Sequence, residues 1–444
     1  MVTRQAVIAA VLFGGLAAVS PGLAAMTLLI VAIIRALQHR APAADASFLV
    51  GMFVGGLMLR LLLLAVTDVA VVWSNHLLSA SMDHFTVPAL MNDSGYVAIR
   101  AWREVQRLQG QLVAPEMAAE IFQNYGMGGH IYLFALFYGL FGFSPLAVTT
   151  LNCLLSVLTG LVAYALTRDL VGSFAGRIAG LLVTFFPSLV FWSITNMKDP
   201  LFILMAILLP WGWVRWHATR SWQFLLLALC SAVMLWIIRP NFIVAGAASS
   251  LVGWWLFMLK GPQRWKVTLF CAGVAILLLS RGYLQWGYYK LHHLILAYHR
   301  GVVATGGFTY RLYPDAVYDP SANFSSIGFW ALLQGYGKGW LHVLFEPFPW
   351  KIHSPLSLAA VPQMVLWYPL MLTGGLGIWR LARRSWDYTV VLLIHLFMLG
   401  TVIVFGGGNV GTDFRMRDSI TPLILCLSAI GLAAVRRAPE GLSP

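Results

Sequence analysis

Three short stretches carry ionisable side chains of the kinds that chemistry at a membrane face would use. They are Met91-Asn92-Asp93-Ser94-Gly95-Tyr96, then Asn196-Met197-Lys198-Asp199-Pro200, then Gly406-Gly407-Gly408-Asn409-Val410-Gly411-Thr412-Asp413-Phe414-Arg415-Met416-Arg417-Asp418. A carboxylate such as Asp93 can take the proton from an attacking hydroxyl. Cations such as Lys198, Arg415 and Arg417 can stabilise a departing phosphate, the arginines through a planar fork of donors. Glycines ahead of Asn409 let a backbone approach a ligand closely. Each stretch also has a plainer account. Asn92-Asp93-Ser94 suits the cap of a helix. Asp199 with Pro200 suits a helix start, Asp199 as N-cap and Pro200 at the first helical position. Three glycines suit a flexible turn.

The elements that must position these residues are membrane helices. Of 444 residues, 59% are hydrophobic and only 10% charged, and many apolar runs approach the length needed to cross about 30 Å of hydrocarbon. The expected fold class is therefore an all-α polytopic membrane protein. The formal charge of +13 does not imply nucleic acid, because the basic residues sit in short loops between apolar runs, where they set topology and meet lipid headgroups. Cys153, Cys230, Cys271 and Cys426 all fall inside apolar segments; they read as small core residues, with no disulfide framework and no metal cluster.

In order, the run from Ala6 to Ile34 is read as one long tilted or kinked helix, retained in the membrane because no convincing cleavage site follows Arg4. The basic linker Arg35–Ala46 is inner, and Phe48–Val72 crosses outward to a first outer loop at 74–130. There Ile99, Trp102, Val105 and Leu108 oppose Arg100, Arg103 and Arg107, the pattern of an amphipathic helix lying along the membrane. Ile131–Gly142 is a short juxtamembrane piece, and spans follow from Pro145 onward. A second outer loop, 281–355, is rich in aromatics and histidines, and three last spans end near Val435. Every basic cluster between spans then falls inside, and both long loops fall outside. About eleven spans result, within a range of ten to thirteen, in a single integral membrane domain over 1–444 with no separate soluble domain.

On this threading Lys198, Arg415, Arg417, Arg239 and Arg281 all face outward, against the usual bias of basic residues. Arg239 and Arg281 are candidates for the same anion, or partners of an Asp or Glu. His292, His293 and His299 have apolar and aromatic neighbours, which favours an amphipathic helix over a metal site. Glu116 and Glu120, one helical turn apart, offer a second carboxylate or a solvated face. No Walker loop, dinucleotide fingerprint or Ser-His-Asp elbow is present.

An outer loop with an Asp at the start of an amphipathic helix and an aromatic soon after it (Asp93, Tyr96) resembles the polyprenyl-phosphate-dependent glycosyltransferases of the GT-C superfamily. Protein O-mannosyltransferases and lipid A aminoarabinose transferases belong there. The order that follows is similar too: Tyr138-Gly139-Leu140-Phe141-Gly142-Phe143-Ser144-Pro145, Phe185-Phe186-Pro187-Ser188, then Lys198-Asp199-Pro200. Pro347-Phe348-Pro349-Trp350 and the Asn409–Arg417 stretch look closest to members encoded with bacterial exopolysaccharide genes. Many members carry Asp-Glu where this chain has Asp93-Ser94, so no metal ligand set is assigned and a divalent cation stays open. The resemblance implies a membrane glycosyltransferase of inverting type. It would move a sugar from a polyprenyl-phosphate lipid donor to a glycan or lipid-linked acceptor, in cell-surface polysaccharide synthesis. Asp93 would be the base and Lys198, Arg415 and Arg417 would hold the phosphate; Asn409, Tyr96, Arg239 and Arg281 would line the substrate. The implied location is the bacterial cytoplasmic (inner) membrane, with the site on the outer, periplasmic face. Membrane lipids would be further partners, and nucleic acid would not.

A polysaccharide polymerase or O-antigen ligase is the alternative, sharing a large outer loop and outer arginines such as Arg281 and Arg300, but needing no early carboxylate. A lipid-linked glycan transporter would instead place ionisable groups at mid-membrane on broken helices.

Overall fold

The computed structural model describes residues 4–74, 79–82, 85–88, 92–111, 116, 129–259, 261–280, 296, 299–303, 308–318, 328–348, 350–351 and 355–435. It is an all-α polytopic membrane protein. Among the described residues six helices are long and apolar enough to cross a bilayer, or up to eight if two bent pairs each count as one span. The chain forms two compact units, Met1–Ile207 with Val233–Pro240, and Leu208–Ala232 with Asn241–Pro444.

The first unit begins with α1 (Arg4–Val19) and α2 (Pro21–Arg40), two helices where a single one was expected. The reason is local. The Ser20 side chain accepts from the Leu23 amide at 3.4 Å, and Pro21 opens α2, where its missing N–H costs nothing. Helix α2 then takes in the first half of the linker expected at 35–46, and the next helix begins before that linker ends. Helix α3 (Ala43–Ser74) has 32 residues, about 48 Å, and outlasts the hydrocarbon core. Between it and α4 (Asn92–Leu108) lies a small antiparallel hairpin of β1 (Ser79–Met82) and β2 (Phe85–Pro88), in register Ser79 to Pro88 and Met82 to Phe85. Then come α5 (His130–Phe141), α6 (Pro145–Val171), α7 (Ser173–Phe185) and α8 (Pro187–Ser193), the last two bent by 50° at Phe186. Gly160 lets α6 and α7 touch, since a Cβ there would run into the Thr184 hydroxyl. In lipid such close approach is what holds helices together.

Helix α6 carries polar groups at its two ends. Near one end, Asp45 accepts from the Tyr164 hydroxyl and from Arg177 Nε, both at 2.6 Å. Near the other, Thr149 and Asn152 hold the Asn196 turn, as described below. The intervening rise, Asn152 to Tyr164, is about 18 Å. Inside α3 the fully buried Arg60 donates to the Gly56 carbonyl and the Ser156 hydroxyl, both at 2.9 Å, and Ser156 donates onward to the Leu189 carbonyl at 3.2 Å. That chain ties α3, α6 and α8 together around a cation the sequence left inside an ordinary span.

Helices α9 (Asp199–Thr219) and α10 (Trp222–Ile238) follow, then α11 (Ile243–Phe257), α12 (Pro262–Ser280) and α13 (Phe329–Phe345). The chain ends with α14 (Pro355–Arg384), α15 (Trp386–Gly406), α16 (Val410–Arg417) and α17 (Thr421–Val435). In the second unit α14 and α17 pack so closely that a Cβ on Gly431 would strike the Thr373 carbonyl, and one on Gly377 the Leu427 carbonyl. The Ser428 hydroxyl donates to the Leu370 carbonyl at 2.6 Å across the same contact. Ser249 of α11 and His395 of α15 are 2.6 Å apart, both fully buried.

Candidate functional site

In the first unit the site is built on α4. Its buried Ala98, Ala101 and Val105 recur at helical spacing, and Ala101 and Val105 pack on Phe134 and Tyr138 of α5, with Trp102 and Phe143 beside them. This inward face fixes where the first turn points. Ser94, in that turn, is buried, and its hydroxyl accepts from the Asn196 amide at 2.7 Å. Asp93 lies in the same turn by its backbone; its side chain lies outside the described residues. Tyr96 is on the exposed side, 45% accessible, with the Arg100 guanidinium 5.9 Å from its ring centre. The fully buried Glu104 receives both Nε and Nη2 of Arg107, at 2.7 and 2.6 Å.

The Asn196 turn is gripped from α6. Asn152 Nδ2 donates to the carbonyls of Thr195 and Met197 at 2.6 and 2.9 Å, and the Thr149 hydroxyl donates to Asn196 Oδ1 at 2.9 Å. Those bonds satisfy backbone carbonyls that a buried turn would otherwise leave unpaired. The first helical bond of α9 runs from the Phe202 amide to the Lys198 carbonyl at 3.1 Å. Lys198 is therefore the capping position and Asp199 the first helical residue, one place later than the N-cap role read from sequence. Lys198 itself is half-buried.

Asp199 is buried and accepts from Arg239 Nη2 at 2.5 Å, while the Arg239 guanidinium also lies 5.1 Å over the Phe202 ring. Arg239 is thus an ion-pair partner, one of the two roles the sequence allowed it. The Gly129 amide donates to the Ile237 carbonyl at 2.5 Å, so the start of α5 joins the same end of the unit. Arg281 lies outside the described residues, as do Glu120, His292 and His293.

The second unit holds its own polar cluster. Asn409 caps α16, its side chain accepting from the Thr412 amide at 3.1 Å. Asp413 is buried and accepts from the Tyr310 hydroxyl at 2.5 Å and from the Gly408 amide at 3.3 Å. Residues 309 and 409 form an antiparallel bridge, flanked by Tyr310 N–H to Gly408 O and Val410 N–H to Phe308 O, both 2.9 Å. Gly408 has φ 139, a conformation that glycine adopts without strain.

His299 Nδ1 lies 2.6 Å from the Gly407 carbonyl, so it carries the proton. Its Nε2, 2.8 Å from the Tyr318 hydroxyl, is then the acceptor. Burial pushes this imidazole below the usual histidine range, with the bond to the Gly407 carbonyl pulling the other way. Arg417 is fully buried. It donates to the Glu346 carbonyl at 2.8 Å and lies between the Trp367 and Phe414 rings, at 5.0 and 4.8 Å. These contacts make Arg417 an anchor of α16. Arg415, two residues earlier, is half-buried on the opposite face of the helix.

The structure therefore brings the Asp93 turn and the Lys198 turn together through Ser94 and Asn196, and gathers Asn409, Asp413, Arg415 and Arg417 on one short helix. Sequence reasoning missed Asn152, Tyr310, His342, Glu346 and Arg60. No local pattern marks them, since each is polar only in relation to a partner far along the chain. Among the described residues no group of three or more His, Cys, Asp or Glu could hold a metal ion.

Residues 129–286, just over a third of the chain, match the profile of a family described as dolichyl-phosphate-mannose-protein mannosyltransferase. No curated protein matches the chain. The matched family is of the membrane-embedded GT-C type, and a membrane glycosyltransferase is the class of enzyme the match supports for this chain. The matched segment contains Asn152, Lys198, Asp199 and Arg239.

Proposed function

We propose that the chain transfers a sugar from a polyprenyl-phosphate-linked donor to a glycan or lipid-linked acceptor at the outer face of a bacterial cytoplasmic membrane, in cell-surface polysaccharide synthesis. The observation that carries this reading is the 2.7 Å bond from the Asn196 amide to Ser94. It ties the turn that bears Asp93 to the turn that bears Lys198, a carboxylate and a cation from distant segments of one unit.

In the proposed reaction Asp93 accepts the proton of an acceptor hydroxyl as its oxygen attacks the anomeric carbon. The bond from that carbon to the phosphate oxygen breaks on the opposite face, so the sugar inverts. The leaving polyprenyl phosphate gains negative charge, which Lys198 stabilises. Arg239 neutralises Asp199 and keeps the start of α9, and Lys198 with it, in place. Tyr96 stacks on the sugar. In the second unit, Arg415, on a helix capped by Asn409 and anchored by Arg417, is a further candidate ligand for a lipid-linked phosphate. The description of the matched family makes polyprenyl-phosphate-linked mannose the first donor to test.

The test is release of polyprenyl phosphate from that donor by the full chain in lipid nanodiscs, with wild type, Asp93→Asn and Lys198→Ala. Loss of turnover in Asp93→Asn with retained donor binding is expected, as is weakened donor binding in Lys198→Ala. Wild-type turnover in Asp93→Asn would remove the base assignment. Turnover of nucleotide sugars with none of any polyprenyl-linked sugar would refute the donor class.

A further inference from the structure

The second unit contains a clamp that the proposed chemistry does not use. Tyr310 lies in the segment that pairs with 408–410. Its ring stacks flat on His342 of α13, with centroids 3.7 Å apart and planes 5° from parallel. His342 Nδ1 lies 3.1 Å from Glu346 Oε1, one turn further along. The Tyr310 hydroxyl then reaches past Gly407 to Asp413. No side chain fits at Gly407, where a Cβ would lie 2.8 Å from that hydroxyl and 3.3 Å from Asp413 Oδ1.

Asp413 is 1% exposed, and its Oδ1 has no hydrogen-bond partner among the described residues. Burying a carboxylate is costly unless it is hydrogen-bonded, so the Tyr310 hydroxyl and the Gly408 amide carry that burden at Oδ2. Asp413 and Arg417, four residues apart, share the inward face of α16, and Arg417 is bonded to the carbonyl of Glu346. One inward contact of Asp413 and one of Arg417 thus end on the Tyr310–His342–Glu346 group. The angular position of α16, and with it the direction of Arg415 on the other face, is set by these bonds.

We infer that Tyr310 and Asp413 form a positioning latch, in which the Tyr310 hydroxyl acts through Asp413 to orient α16 and so holds Arg415 toward a lipid-linked phosphate. Neither residue touches the ligand. The inference rests on Arg415 being a phosphate ligand, as proposed above, so the test separates the two.

Hydrogen exchange of the full chain in nanodiscs reads the latch alone. Tyr310→Phe should speed exchange at the amides of Gly408, Tyr310 and Val410, and Asp413→Asn should do the same while the helices of the unit stay protected. Unchanged exchange in both variants overturns the latch whatever Arg415 does. Binding of undecaprenyl phosphate, with inorganic phosphate as the comparison, reads the consequence. Arg415→Ala should weaken the lipid phosphate by about tenfold, and Tyr310→Phe by a similar factor. The double variant should be no weaker than Arg415→Ala, because Tyr310 acts only through Arg415. Independent, additive losses would show a merely structural role and overturn the latch. Binding by Arg415→Ala equal to wild type would overturn the ligand assignment instead, with the exchange result left standing. Tighter binding of inorganic phosphate than of the lipid would overturn the lipid source.

Discussion

Ser94→Ala tests the contact on which the proposed site depends. Ser94 and Asn196 are both buried, 6% and 7% exposed, and the bond between them is 2.7 Å long. Removing the hydroxyl leaves a buried backbone N–H without its acceptor, a cost of about 1–3 kcal/mol. The Asn196 turn does not come loose with it, because Asn152 and Thr149 still hold it from α6 at 2.6–2.9 Å. The part released is the first turn of α4, which carries Asp93. A base displaced by about 1 Å loses on the order of 100-fold in rate, so kcat should fall by about 10–100-fold. Donor KM should hold, because the Lys198 turn stays in place. The assay is steady-state release of polyprenyl phosphate in nanodiscs, with thermal unfolding alongside. Ser94→Thr, which keeps the hydroxyl, should recover most of kcat. Wild-type kcat in Ser94→Ala, in a protein that Asp93→Asn inactivates, would refute the idea that this bond positions the base.

Three other outcomes follow from the packing. Arg239→Ala strips the buried Asp199 of the cation 2.5 Å away and should cost about 3–5 kcal/mol in thermal unfolding; the double variant with Asp199→Asn should recover part of it, and additive losses would count against the pair. Gly431→Leu must push α14 from α17 at the Thr373 carbonyl, so the monodisperse peak in size-exclusion chromatography should be lost. Gly14→Leu, where nothing lies within 4 Å of a Cβ, should keep it. Because the folded-state pKa of His299 is lowered, its neutral ring supports the fold above the ordinary histidine pKa of about 6.5. Stability should fall as pH drops below that value and level off below the shifted one. His299→Gln should flatten that part of the curve, and an unchanged slope between pH 7.5 and 5.5 would count against it.

The sequence by itself determined the membrane class, because apolar runs of spanning length and basic interruptions are local properties that no tertiary contact can hide. It also identified the two helix starts that matter, around Asn92 and Asp199, from cap residues and a proline. The N-terminal run misled, since its length argued for one helix while a single capping serine and a following proline make two. Tertiary structure alone decided which residues meet. Ser94 and Asn196 are 102 positions apart, and Tyr310 and Asp413 are 103 apart. Neither pair has a periodic or compositional signature, because a hydrogen bond reaches about 3 Å and depends on how whole helices are placed. The same placement gave Arg239 and Arg417 their partners, Asp199 and the Glu346 carbonyl. A buried guanidinium must satisfy its donors inside the protein, and only the fold says how deep each arginine lies.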